Sequence, residues 1–250
     1  MNVSSLHSTP TSGRLDGKTV LIVGGTSGIG LSAAIQASAI GARVIVTGFN
    51  SEQARDVAAT QGFAGWRAFD ITDEGSVAAS LADLERVDHL VVLAGSFVVG
   101  KVLEAELSYL RRAFDERVWG ALHVLRALGG RLARDGSVTF ISGVLADRPN
   151  AMGTAVIASA SAAMEALARG LAVELAPLRV NALSPGTIDT PLLAKALGEH
   201  RAAYVAGVAE KLPVGRVGAA EDAGAAILFL ITNGFVSGET LHVDGGARLV

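Results

Sequence analysis

No cysteine occurs among the 250 residues, which excludes disulfides, thiolate metal sites and thiol nucleophiles. Charge is also sparse: 18% of residues are Asp, Glu, Lys or Arg, the net charge is −3, and the basic residues are scattered. That leaves no electrostatic footprint for nucleic acid or an anionic membrane, and neither is expected as a partner. Long apolar runs are missing too. The stretch 223–231 falls well short of the roughly 20 residues that cross a bilayer, so no membrane span is expected. Residues 1–14 are rich in Ser, Thr and Pro and lack both the apolar centre of a signal peptide and an arginine-rich amphipathic pattern. They read as a disordered lead-in to one domain over 15–250, with the cytoplasm as the expected compartment. No spacing of His, Asp and Glu suggests a metal site. His89, His123 and His242 lie in or beside apolar segments and read as core histidines, while His7 and His200 lie in polar ones.

What is present is apolar: half of the residues are hydrophobic, enough for one large core of the α/β kind. After the run Thr19-Val20-Leu21-Ile22-Val23 comes Gly24-Gly25-Thr26-Ser27-Gly28-Ile29-Gly30, and then an apolar helical stretch through Ile40. Glycines without Cβ let the backbone approach a pyrophosphate, and the N–H groups of the following helix N-terminus stabilise its charge. The implied ligand is a dinucleotide. The neighbouring Gly17-Lys18-Thr19 is no triphosphate loop, because Ser12 stands where its first glycine belongs and the lysine precedes the strand.

Further β-rich runs occur at 44–46, 66–69, 90–93, 138–141, 179–183 and 240–243, separated by helix-compatible segments at 52–60, 74–85, 107–128, 152–175 and 221–231. This alternation predicts a single-domain, doubly wound parallel sheet of the Rossmann kind with helices on both faces. Ligands of such sheets sit outside the carboxyl ends of the strands. The residues at those ends are 24–30, Asp70-Ile71, Ala94-Gly95, Ser142-Gly143 and Ser184-Pro185-Gly186. Taken singly, Asp70 reads as a cap for the helix beginning near Asp73, and Pro185-Gly186 as an ordinary turn.

From about Leu15 to Val250 the chain resembles the short-chain dehydrogenase/reductase family. The resemblance is carried by Gly24-x-x-x-Gly28-Ile29-Gly30, Asp70, Ala94-Gly95, the run Arg179 to Thr190 containing Asn181-Ala182-Leu183-Ser184-Pro185-Gly186, and the tail Gly238-x-Thr240-x-x-Val243-Asp244-Gly245-Gly246. It implies NAD or NADP as cofactor, with Asp70 and Ile71 beside the adenine, Ala94 and Gly95 along the adjoining ribose, and Pro185, Gly186, Ile188 and Thr190 at the nicotinamide end. It also implies a small-molecule substrate and, through the tail from Val243, a homotetramer or homodimer. At the end of the second strand, Gly48-Phe49-Asn50-Ser51 carries no carboxylate to bind a ribose 2′-hydroxyl, which tilts the expectation toward NADP. Phe49 stands where NADP-using relatives commonly present arginine, leaving Asn50, Ser51 and Arg55 to meet a 2′-phosphate; alone, Arg55 reads as a solvated helix charge.

The chain departs from the family where its proton chemistry is expected. Only Tyr109 and Tyr204 are present, and the residues four positions beyond them are Ala113 and Val208. The resemblance places Ile157 at the tyrosine position, Ser161 at the lysine position, Gly143 at the assisting serine and Arg117 at the asparagine. Ser142, one residue earlier, keeps a hydroxyl at the end of the fifth strand. Arg117 is suited to bind a carboxylate or phosphate bidentately or to stabilise an oxyanion, and equally to pair with Asp115, Glu116 or another carboxylate. Trp119 reads as core packing. Two functions fit: an atypical oxidoreductase with Ser142 and Arg117 in the active site, or a non-catalytic dinucleotide-binding sensor or scaffold. A redox-neutral isomerase or dehydratase has no positive signal.

Overall fold

A computed structural model describes residues 15–250; the expected lead-in over 1–14 lies outside the described residues. Seven strands form one parallel sheet: β1 (Thr19–Val23), β2 (Arg43–Gly48), β3 (Gly65–Ala68), β4 (Val87–Val92), β5 (Leu132–Ile141), β6 (Arg179–Pro185) and β9 (Thr240–Val243). Their order across the sheet is β3-β2-β1-β4-β5-β6-β9. A separate pair, β7 (Ile188–Asp189) with β8 (Gly218–Ala219), stands apart from it. The helices are α1 (Gly28–Ala39), α2 (Ser51–Gln61), α3 (Glu74–Leu81), α4 (Leu107–Phe114), α5 (Gly120–Leu128), α6 (Ala155–Glu174), α7 (Pro191–Leu197), α8 (Arg201–Ala209) and α9 (Ala220–Thr232).

Side chains on a strand alternate between faces, and β1 shows what that does here. Leu21 and Val23 join a core with Leu90, Val92, Val138, Phe140 and Met164, while Val20 and Ile22 join a second core with Ala33, Val46 and Ile227. The sheet is therefore buried on both faces, which is why its strands read as continuous apolar runs. By length and composition α6 would suit a bilayer, but Ile157, Ala160, Met164, Ala168 and Leu171 lie buried in the protein.

Three expectations need correction. The segment 107–128 is not one helix: residues Asp115–Trp119 form a π turn between α4 and α5. Trp119 is more than half exposed, so it is not core packing. His242 is no core residue either; on the edge strand β9, its Nε2 lies 3.2 Å from the Asp147 carboxylate.

At the amino end of the sheet Asp88 is buried and accepts from the Thr19 N–H at 2.9 Å, from Lys18 at 3.2 Å and from Arg86 at 2.8 Å. Burial alone raises the pKa of this carboxyl, but those donors outweigh it and hold it below the usual carboxylate range. Asp88→Asn removes a charged acceptor from three donors and is expected to cost about 2 kcal/mol. Urea denaturation measures it, and an unchanged midpoint would show that the cluster holds nothing together.

Candidate functional site at the carboxyl ends of the strands

Strand order reverses between β1 and β4, since β2 lies on the far side of β1 and β5 on the far side of β4. The loop 24–30 occupies this crevice, where ligands of doubly wound sheets bind. Gly24 has φ +85° and donates its N–H to the Thr47 carbonyl at 3.1 Å. A Cβ there would stand 3.1 Å from the Ala94 nitrogen, and one on Gly30 would stand 2.1 Å from the Gly24 oxygen. On Gly28 it would meet Thr190 Cβ at 3.3 Å, and on Gly48 it would meet Thr26 Cγ2 at 2.9 Å. These contacts bring the loop, the end of β2, Ala94 and Thr190 into one place. Ser27 precedes α1 with its side chain making no capping bond, so the helix start keeps its N–H groups for an anion. Ile29 packs on the second core.

Around the loop, the end of β2 presents Phe49, which is 81% exposed. Asn50 accepts from the Gln53 N–H at 2.9 Å and so caps α2, whose first residue is Ser51. Arg55 pairs with Asp56 at 3.1 Å and Glu52 at 3.9 Å on the surface. Asp70 closes a local turn, accepting from Thr72 N–H at 2.9 Å and its hydroxyl at 2.7 Å; the cap of α3 is Asp73. Ile71 is buried against α5, where a Cβ on Gly120 would meet its Cγ1 at 2.7 Å. Pro185 ends β6, and Gly186 donates its N–H to Val243 at 3.0 Å with no room for a Cβ beside Asp244. Ile188 is buried in β7, and Thr190 precedes α7.

On the other side of the crevice the π turn holds Glu116 and Arg117, both buried. Glu116 accepts from Arg112 at 2.7 Å and from the Ser96 N–H at 2.5 Å. Arg112 also donates to the Ser96 hydroxyl at 3.1 Å, and Arg117 Nη2 to the Ser96 carbonyl at 2.9 Å. Three charged side chains thus fix the one residue that follows Ala94-Gly95. Arg117 forms none of the ion pairs that its neighbours offered: Glu116 is taken by Arg112, and Asp115 lies 3.6 Å from Arg111. Burial pushes the Arg117 pKa down, against the opposing charge of Glu116.

Ser142 is 7% exposed, and its hydroxyl lies 3.1 Å from the Ser161 carbonyl and 2.6 Å from Glu165 Oε1. One hydroxyl proton serves one acceptor at a time. The side chain is therefore engaged with α6, where Ile157 and Ser161 are also buried. Glu165 was invisible to sequence reasoning, because an isolated glutamate in an alanine-rich helix carries no signal until β5 is laid beside it.

The family profile described as enoyl-(acyl carrier protein) reductase matches residues 23–248. The short-chain dehydrogenase/reductase ucsE of Acremonium sp is 35% identical over 96% of this chain and 99% of its own length. The cis-4-hydroxycyclohexanecarboxylate dehydrogenase of Sinomonas cyclohexanicum is 35% identical over 93% and 97%. A crystal structure of a small-chain dehydrogenase in complex with NADPH is 37% identical, superposes with a TM-score of 0.82, and is matched over 94% of this chain and 100% of its own. Like these proteins, the chain belongs to the short-chain dehydrogenase/reductase family.

Proposed function

We propose that the protein is an NAD(P)-dependent oxidoreductase acting on a small alcohol, carbonyl, imine or conjugated substrate without a tyrosine-lysine pair. The glycine cradle carries this reading: its close backbone approaches and the uncapped start of α1 fit a pyrophosphate. Gly24, Thr26, Ser27, Gly28, Ile29 and Gly30 would hold it, with Asp70, Ile71, Ala94 and Gly95 toward the adenosine and Pro185, Gly186, Ile188 and Thr190 toward the nicotinamide. NADP is preferred over NAD. The end of β2 offers no carboxylate, Phe49 is free to stack on an adenine, and Asn50 spends its oxygen on α2 while its NH₂ remains to donate alongside Ser51. The relative solved with NADPH supports that preference, and the relative named for a hydroxycyclohexanecarboxylate supports an alcohol or ketone substrate.

A bound nicotinamide would supply or accept the hydride. The chain's own contribution is electrostatic and protic. Arg117 sets a permanent cation beside the carboxyl end of β4. Ser142 relays a proton: oxidation moves the substrate O–H proton to Ser142 Oγ as the serine proton passes to Glu165 Oε1, and reduction reverses both transfers. Homotetramer assembly through the tail from Val243, with a homodimer next, belongs to the same proposal.

Arg117→Ala tests it. Titration by nicotinamide fluorescence should leave NADPH affinity nearly unchanged while kcat/KM falls on the order of 100-fold. Equal turnover in the variant removes the role of Arg117, and failure of both NADPH and NADH to bind the wild type removes the whole reading. The engagement of the Ser142 hydroxyl with α6 favours a second reading, a dinucleotide-binding sensor or scaffold. NADPH binding without oxidation across a broad substrate panel would decide for it.

A further inference from the structure

We infer that Arg117 is the receptor for a carboxylate on the substrate, an inference that rests on reading the crevice as a dinucleotide-dependent active site. The starting point is an orphaned donor. Arg117 is nine-tenths buried, and its Nη1 has no hydrogen-bond partner. Among the side chains around it, Glu116 is engaged by Arg112 and the Ser96 N–H and makes no hydrogen bond to Arg117, and Asp115 lies with Arg111. The guanidinium is thus a desolvated cation whose one hydrogen bond is to a neutral carbonyl, that of Ser96. Burying a charge in this way is costly unless opposite charge compensates it, and the carboxylate beside it, Glu116, is shared with Arg112.

Position and shape say which anion. Nη2 gives one N–H to Ser96, so the donors left at the end of the guanidinium are the second Nη2–H and those of Nη1. Two parallel N–H groups match the two oxygens of a carboxylate. Gly95 lays backbone rather than a side chain against this edge, and Nη1 itself is shielded from solvent. A Cβ at that residue would stand 3.1 Å from Arg117 Cζ and 3.2 Å from Nη1, and its φ of +156° is one that side-chain-bearing residues rarely adopt. Gly95 directly follows Ala94, which touches Gly24 of the glycine loop, so the waiting donors lie at the same crevice as the cradle. A carboxylate held here would fix the orientation of the rest of the substrate toward the ends of β5 and β6, while the arginine itself exchanges no proton.

Benzoate and its neutral isostere benzamide are the probes, titrated calorimetrically into the wild type with and without saturating NADP. Benzoate should bind at least about tenfold tighter than benzamide in one of these two conditions, as expected for a charge-assisted pair. Arg117→Met should abolish the preference, and Arg117→Lys, which keeps the charge but not the fork, should retain only part of it. Where the methionine variant does not fold, the lysine variant alone decides, because an unchanged preference there excludes bidentate recognition. Equal binding of the two probes, binding of neither, or a benzoate preference that survives in Arg117→Met overturns the inference. The dinucleotide reading fails separately: benzoate preference without any NADP or NADPH binding would leave an anion site in a protein that is not a nicotinamide enzyme.

Discussion

Gly30→Ala is expected to cost the protein its dinucleotide affinity by on the order of 100-fold, with a loss of about 1–3 kcal/mol in stability. The new methyl would lie 2.1 Å from the Gly24 oxygen and 3.0 Å from Gly25 Cα, and both neighbours are backbone. Neither can turn aside as a side chain would. The start of α1 must therefore back away from the loop, separating the helix N–H groups from the turn that together form the cradle. Gly170→Ala in α6 is the control, since its Cβ meets nothing within 4 Å and alanine favours a helix. Fluorescence titration with NADPH separates the two variants, and wild-type affinity in Gly30→Ala would show that the cradle does not hold the ligand.

That glycine cluster was legible in the sequence, and so was nearly the whole sheet. Runs such as Leu90-Val91-Val92 have no polar face because both faces are covered, and a continuous apolar strand reports that burial directly. Less was legible where the cause is tertiary. Strand β5 begins at Leu132, well ahead of the run at 138–141; a Cβ on Gly136 would stand 1.9 Å from the Asp88 backbone oxygen, so the glycine marks the close approach of two strands. The β7/β8 pair has two residues a side and exists because Ile188 and Gly218 pack together, which no local pattern announces. The π turn escaped for a different reason: one extra residue per turn barely disturbs an apolar periodicity that is otherwise helical from Leu107 to Leu128. At the site, the identities of Arg117 and Ser142 were readable, but not their engagements with Ser96 and Glu165, because these depend on which face of the π turn and of α6 meets the sheet.

The second large effect is on stability against pH. His89 on β4 is 6% exposed, with Nδ1 2.9 Å from the Ser137 hydroxyl. Burial, aided by the nearby Arg179 charge, lowers its pKa from 6.5 to about 4. Between those values the unfolded chain binds a proton that the folded chain refuses. Stability from this residue is therefore complete above about pH 6.5 and is lost progressively as pH falls toward 4, by on the order of 3 kcal/mol. That is a large share of the 5–15 kcal/mol typical of a folded protein. Asp88 adds a further loss at still lower pH, because its carboxyl must be protonated away from Thr19, Arg86 and Lys18. Chemical denaturation at half-unit steps from pH 7.5 to 4 should show the slope, and His89→Gln should flatten it across that window. A variant as acid-labile as the wild type would place the cause elsewhere.

The π turn has a consequence for how this stretch of chain tolerates insertion and deletion. Winding Asp115–Trp119 as regular α-helix with no residue removed would advance everything beyond it by about 100°. Gly120 would then leave Ile71, against which only a residue without Cβ fits, and His123 would lose the Ile71 carbonyl 3.0 Å from its Nδ1. The surplus residue thus works as a phase setter: it lets α4 be indexed to Ser96 and α5 to Ile71 independently, two neighbourhoods that a single uninterrupted helix cannot serve together. A deletion that takes out the surplus residue should therefore spare the register of α5, whereas one within Gly120–Leu128 should lose it.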